Sequence, residues 1–149
     1  MIVSCTAKPE KENIYPFSKA NKIEVVSYIN RELWDTIENK TTEGIASINK
    51  NQIKERVTLT KNQSDDLFKF LFIDECPLVN STSRCFEPRH MIVFYDKYGK
   101  ELDYIEVCLE CGTSESGMNF SYNDICNERA DELGGIFKEA GIKYFGENE

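Results

Sequence analysis

Hydrophobic positions along this chain recur at helical and strand spacings, and each run predicts an element. Ile23, Val26, Ile29, Leu33, Trp34 and Ile37 follow mostly at steps of three and four, behind Asn21 and Glu24 in capping-box positions. That combination predicts an amphipathic helix over about 22–39. A polar connection, 41–50, is interrupted by Ile45 and Ile48. Ile53, Val57 and Leu59 then face Lys54, Arg56 and Thr58 across an alternating run, which predicts a half-buried strand over 52–59. Thr60 and Gln63 form a second capping box, opening a helix that carries Leu67, Phe68, Leu71 and Phe72.

After a loop over 74–88, two β-rich runs, 90–95 and 102–109, flank Asp96-Lys97-Tyr98-Gly99-Lys100. Gly99 can take the positive φ that a hairpin turn needs, so the pair predicts a β-hairpin. A Ser/Gly-rich stretch, 112–119, reads as a surface loop. Ser121 to Asp124 then open a third helix, with Ile125, Ala130, Leu133, Ile136, Phe137 and Ala140 on one face and Gly141 at its left-handed end. Gly134-Gly135 inside that helix suggests a close backbone approach, and 143–145 a short final strand. The expected fold is α+β, a small antiparallel sheet with a central hairpin packed by about three helices. Residues 1–20 are expected to be a flexible tether and 21–149 a single domain.

Composition narrows the possible partners. The 149 residues hold 26 acidic and 18 basic side chains, a formal charge of −8. Binding to a phosphate backbone requires a basic face, so a nucleic-acid partner is excluded. No run of 18 apolar residues is present, so no transmembrane segment is expected. Ile2-Val3-Ser4-Cys5 has the form of a lipoprotein cleavage box. On that reading the true start lies upstream, Cys5 is a lipid anchor, and the protein faces the bacterial envelope or periplasm. If Met1 is the true start, the protein is cytoplasmic.

The chain has six cysteines and one histidine. If Asp96 faces Lys100, the hairpin register puts Cys85 opposite Cys111. If Asp96 faces Glu101, Phe86 faces Cys111 and Cys108 lies beside Arg89. Either register brings Cys85 to the Cys108-Leu-Glu-Cys111 end of the sheet, where a Cys85–Cys111 bridge is feasible and Cys76 can return to Cys108. Three chemistries compete with plain buried thiols. They are structural disulfides in an oxidising compartment, a zinc site of Cys108, Cys111, Cys85 and either Cys76 or His90, and a redox CxxC. Cys126 aligns with Ala130, Leu133 and Phe137 and reads as a buried, inert thiol.

His90 near Cys85 invites a Cys–His nucleophile, yet no orienting third group is marked, so a structural histidine is expected and no catalytic residue is assigned. Glu106 and Glu110 fall on one side of the second hairpin strand and read as a solvated face. The aromatics Phe94, Tyr95, Tyr98 and Tyr104 read as core and cross-strand pairs. The phosphate-loop, nucleophile-elbow, metalloprotease and calcium-loop motifs do not occur.

Cys85-Phe-Glu-Pro-Arg-His90, Ile92-Val-Phe-Tyr-Asp96, Gly99-Lys100, Tyr104-Ile-Glu106 and Cys108-Leu-Glu-Cys111 resemble a pattern in a family of small bacterial proteins, many of them lipoproteins. The resemblance implies an envelope setting and a shared fold, and it carries no activity. The expected function is therefore a non-enzymatic binding or structural domain of the cell envelope, with a protein or small-molecule partner and no cofactor. Two alternatives stand beside it. One is an acidic immunity or inhibitor protein steered to a toxin by its charge. The other is a zinc or thiol-redox protein built on Cys108, Cys111, Cys85 and His90.

Overall fold

The computed structural model describes residues 6–35 and 43–149. It is an α+β fold, with a five-stranded antiparallel sheet and, among the described residues, two α-helices. The strands are β1 (Lys22–Tyr28), β2 (Ile53–Thr58), β3 (His90–Tyr95), β4 (Glu101–Cys108) and β5 (Thr113–Ser116), in the order β2-β1-β3-β4-β5. The helices are α1 (Lys61–Phe72) and α2 (Cys126–Ala140). No helix among the described residues is long and apolar enough to cross a membrane.

The main correction concerns β1, which occupies the start of the helix expected over 22–39; residues 36–39 of that span lie outside the described residues. β1 is central, paired with β2 on one side and β3 on the other. Its Ile23 and Val25 enter the helix-side core, while Val26 and Tyr28 enter a second core on the opposite face. A strand buried on both faces loses its alternation, so β-branched Ile23, Val25 and Val26 imitate a helical stripe. Glu24 caps nothing. It accepts hydrogen bonds from Arg56 on β2 and forms an ion pair with Lys22.

The hairpin contains both expected registers, separated by a bulge. At the turn, Tyr95 faces Glu101, Gly99 adopts φ 78°, and Asp96 N–H donates to the Lys100 carbonyl. One residue along, the pairing becomes Phe94 with Asp103 and continues to His90 with Val107. An extra residue in one strand moves every later pair by one position.

The capping box of α1 is present, with the Thr60 hydroxyl accepting from Gln63 N–H and Gln63 Oε1 accepting from Thr60 N–H. Both helices pack on one face of the sheet, where Leu67, Phe70, Leu133 and Phe137 meet Ile92, Phe94, Ile105 and Val107. The other face is covered by 3-10 turns at Arg31–Leu33, Gly44–Ser47 and Lys50–Gln52, which bring Trp34 and Ile48 over Tyr28, Met91 and Val93.

Further departures are local. Phe17 is buried and makes edge contacts with Phe68 and Phe94, so the packed domain begins before residue 21, inside the expected tether. The expected loop over 112–119 contains β5, whose side chains are polar because it is an edge strand. Helix α2 starts at Cys126 rather than near Ser121. Asn123 instead ties its segment to the end of α1, donating to the Asp74 carbonyl and, from its backbone, to that of Leu71. Gly141 takes the expected left-handed conformation, φ 113°, whereas Lys143–Phe145 form no strand. Neither internal glycine of α2 is forced by a close approach. A Cβ at Gly134 would lie 3.6 Å from Leu109, an ordinary contact, and one at Gly135 would meet nothing within 4 Å.

Candidate functional site: a surface loop tied at both ends

The segment between α1 and β3 has no regular structure, and residues 77–85 are all exposed. An irregular stretch of this length keeps a defined path only if something replaces the missing backbone ladder. Two disulfides do so. Cys76 is bonded to Cys126, the first residue of α2, with Cα atoms 6.4 Å apart. Cys85 is bonded to Cys111 in the β4–β5 turn, with Cα atoms 5.8 Å apart. Between them, Ser81 donates from both its N–H and its hydroxyl to Glu128, and its carbonyl accepts from Asn127 N–H. Ser83 N–H donates to the Cys111 carbonyl. These bonds attach the loop to α2 and to the β4–β5 turn.

The two supports also touch each other. Gly112 has φ 63°, and a Cβ there would collide with the backbone of Cys126 and Asn127. Only glycine satisfies both the left-handed conformation and that approach. The junction thus holds the loop's backbone while leaving Leu78 and Val79 outside, at 105% and 89% relative exposure.

The cysteines pair differently from expectation. Cys76 joins Cys126 instead of returning to Cys108, and Cys126 is not the inert thiol its helical alignment implied. Cys108 is the buried free cysteine of the described residues; Cys5, the expected lipid site, lies outside them. The Sγ atoms of Cys85, Cys108 and Cys111 all lie within 4.8 Å of one another. The zinc set is not assembled around them. Cys76 is committed to Cys126, and His90 points to the helix side of the sheet, its ring against Phe137 and its Nε2 2.9 Å from the Tyr144 carbonyl. With Cys85 and Cys111 bonded to each other, one thiol remains as a donor, too few for a zinc centre.

His90 and Arg89 border a cavity of about 270 Å³ between the start of β3, the β4–β5 turn, α2 and the C-terminal segment at Phe145 and Glu147. Arg89 pairs with Glu149 at 2.8 Å and Glu110 at 3.5 Å. Among the described residues, no serine, threonine or cysteine lines this cavity, so His90 has no hydroxyl or thiol there to activate. Burial pushes the His90 imidazole down to about 4, because the charged ring would lose its water. Its folded-state pKa lies below the unfolded value, so the unfolded chain binds the extra proton. The stabilisation is complete above about pH 6.5 and is lost as the pH falls toward 4. We expect urea denaturation to show a loss of about 3 kcal/mol over that window, and His90→Gln to flatten it. Glu24 and Glu55, whose carboxyls are held below their ordinary range by Arg56 and by backbone N–H groups respectively despite partial burial, act at lower pH. A profile for His90→Gln that keeps the wild-type slope between pH 6.5 and 4.5 would exclude this assignment.

Glu106 also departs from expectation. It is buried, accepting from the Tyr28 hydroxyl at 2.5 Å and Arg31 Nε at 2.9 Å, whereas Glu110 is exposed. Sequence reasoning also missed Leu78 and Val79, whose one sign was an aliphatic pair inside a Ser/Asn-rich stretch between two cysteines. No protein-family model, curated protein or solved structure matches the chain.

Proposed function

We propose that this domain is a non-enzymatic binding module of an oxidising compartment, the bacterial envelope, and that it engages a partner protein through the loop over 77–85. The observation that carries the reading is the pairing of exposed aliphatic side chains with a backbone held at four places. Burying Leu78 and Val79 in a partner would each contribute about 2 kcal/mol. Because Cys76, Ser81, Ser83 and Cys85 already hold the backbone, little ordering entropy opposes association. Two disulfides in one small domain support an oxidising setting, since cytosolic thiols are normally kept reduced. A protein partner fits better than a small molecule, because the feature projects outward and exposes backbone groups beside its side chains.

The test is a photo-crosslinking amino acid placed at Leu78 and, separately, at Tyr98, which is also exposed but lies in the hairpin turn at the other end of β3. In native cells position 78 should give a discrete crosslinked species that Tyr98 does not, and Val79→Asp should abolish it without changing thermal stability. Identical adducts from both positions, or none at 78, would reject the loop as the binding surface. Four free thiols at Cys76, Cys85, Cys111 and Cys126 in protein from its native compartment would reject the oxidising setting.

A further inference from the structure

A buried thiol beside a disulfide is a reactive arrangement, because a thiolate within reach of a disulfide sulfur can displace its partner. Cys108 Sγ lies within 4.8 Å of both sulfurs of the Cys85–Cys111 bridge. We propose that Cys85, Cys108 and Cys111 form an exchange site with two bonding states, and that the exchange converts a buried thiol into an exposed one.

In the step, Cys108 gives its proton to solvent and its thiolate bonds to Cys111 Sγ. The Cys85–Cys111 bond breaks, its electron pair leaves on Cys85 Sγ, and Cys85 takes up a proton. One disulfide and one thiol are present before and after, so neither oxidant nor reductant is consumed. Cys108 and Cys111 are separated by two residues, Leu109 and Glu110, in the turn whose ends pair at Cys108 and Thr113, so the new bond closes locally.

The two states differ in what they expose. Cys108 and Cys111 are buried and Cys85 is exposed, so the exchange moves the free thiol from inside the domain to its surface. The loop over 77–85 is then covalently held at Cys76 alone. Cys85 becomes a site for thiol-reactive ligands, chiefly disulfide-bearing ones: its thiolate bonds to one sulfur of the ligand's disulfide, that S–S bond breaks, and the other sulfur leaves as a thiol. The site rests on sulfur geometry and stands independently of the binding role proposed for Leu78 and Val79.

The test uses the full-length oxidised protein carrying Cys5→Ser, incubated with N-ethylmaleimide at pH 8, quenched in acid and mapped by non-reducing peptide mass spectrometry. The expected product is alkylated at Cys85 and bridged between Cys108 and Cys111. Cys108→Ser in the same background should lose the label at Cys85 completely, because no thiol then starts the exchange. Alkylation of Cys108 with the Cys85–Cys111 bridge intact would overturn the proposal, as would an unlabelled native protein that yields one alkylated thiol only after denaturation. Mapping of the parent protein decides between these outcomes even if the Cys108 variant folds poorly. Failure here leaves the crosslinking result at Leu78 unaffected.

Discussion

Replacing the Cys76–Cys126 pair with alanines lowers stability by about 3.5 kcal/mol and the melting temperature by about 10 °C. The magnitude follows from how the bridges nest. Cys85–Cys111 lies wholly inside the 50-residue separation of Cys76–Cys126. With the inner bridge closed, the outer one restricts a loop of only about 25 residues in the unfolded chain. Removing both bridges frees the inner loop, of separation 26, as well, so the double loss is about 7 kcal/mol, comparable with the whole stability of an ordinary domain. Urea denaturation of the wild type, the Cys76→Ala/Cys126→Ala variant and the fully reduced protein checks the series. A loss below about 1 kcal/mol for the single bridge would mean that the loop over 77–85 is already ordered in the unfolded ensemble. The same variant should weaken crosslinking from position 78, since the bridge also fixes where Leu78 is presented.

Glu106→Ala is expected to cost about 3 kcal/mol, although it removes a side chain from the middle of a strand and leaves the ladder intact. Glu106 accepts a hydrogen bond from the hydroxyl of Tyr28, which is fully buried, and pairs with Arg31 at 2.8 Å. Arg31 in turn donates to the carbonyl and hydroxyl of Ser47, at 2.9 and 2.8 Å, and lies over the Trp34 ring. One carboxylate therefore fastens the 3-10 turns at Arg31–Leu33 and Gly44–Ser47 to the sheet. Deleting it strands a buried hydroxyl and frees an arginine that solvent only partly recovers. Burial, reinforced by the Glu106 charge, raises the Tyr28 phenol well above its ordinary value, so the phenol remains neutral and cannot adapt by ionising.

Trp34, the single tryptophan, reports the outcome directly. It is buried and donates from Nε1 to the Ile29 carbonyl at 2.8 Å, so its emission should shift to the red as the layer loosens. Glu106→Gln keeps an acceptor for Tyr28 and should cost less. Tyr28→Phe combined with Glu106→Ala should cost less than the two singles together, because the stranded hydroxyl is gone. Strict additivity of those two changes would show that Tyr28 and Glu106 do not act on each other.

The parts of this fold that could be read in advance rest on neighbouring residues. The Thr60–Gln63 box, the alternation over 53–58, the two runs around Gly99 and the glycine ending α2 are each set by side chains a few positions from the backbone they control. That is enough for an α+β domain with a hairpin that brings Cys85 to Cys111. The parts that could not be read depend on residues far apart. Burial on both faces made β1 a strand, and this came from β2, β3 and two separate cores. The short polar run over 113–116 became a strand only because β4 had a free edge. Cys126 aligned with a helical core stripe, yet it bonds a cysteine fifty residues earlier, because Asn123 and Gly112 bring the start of α2 against the loop and the β4–β5 turn. Glu106 looked solvated until the turns at Arg31–Leu33 and Gly44–Ser47 were folded over it. Spacing along the chain specifies which local conformations are cheap, whereas burial and sulfur pairing are properties of surfaces that exist only once the chain has closed on itself.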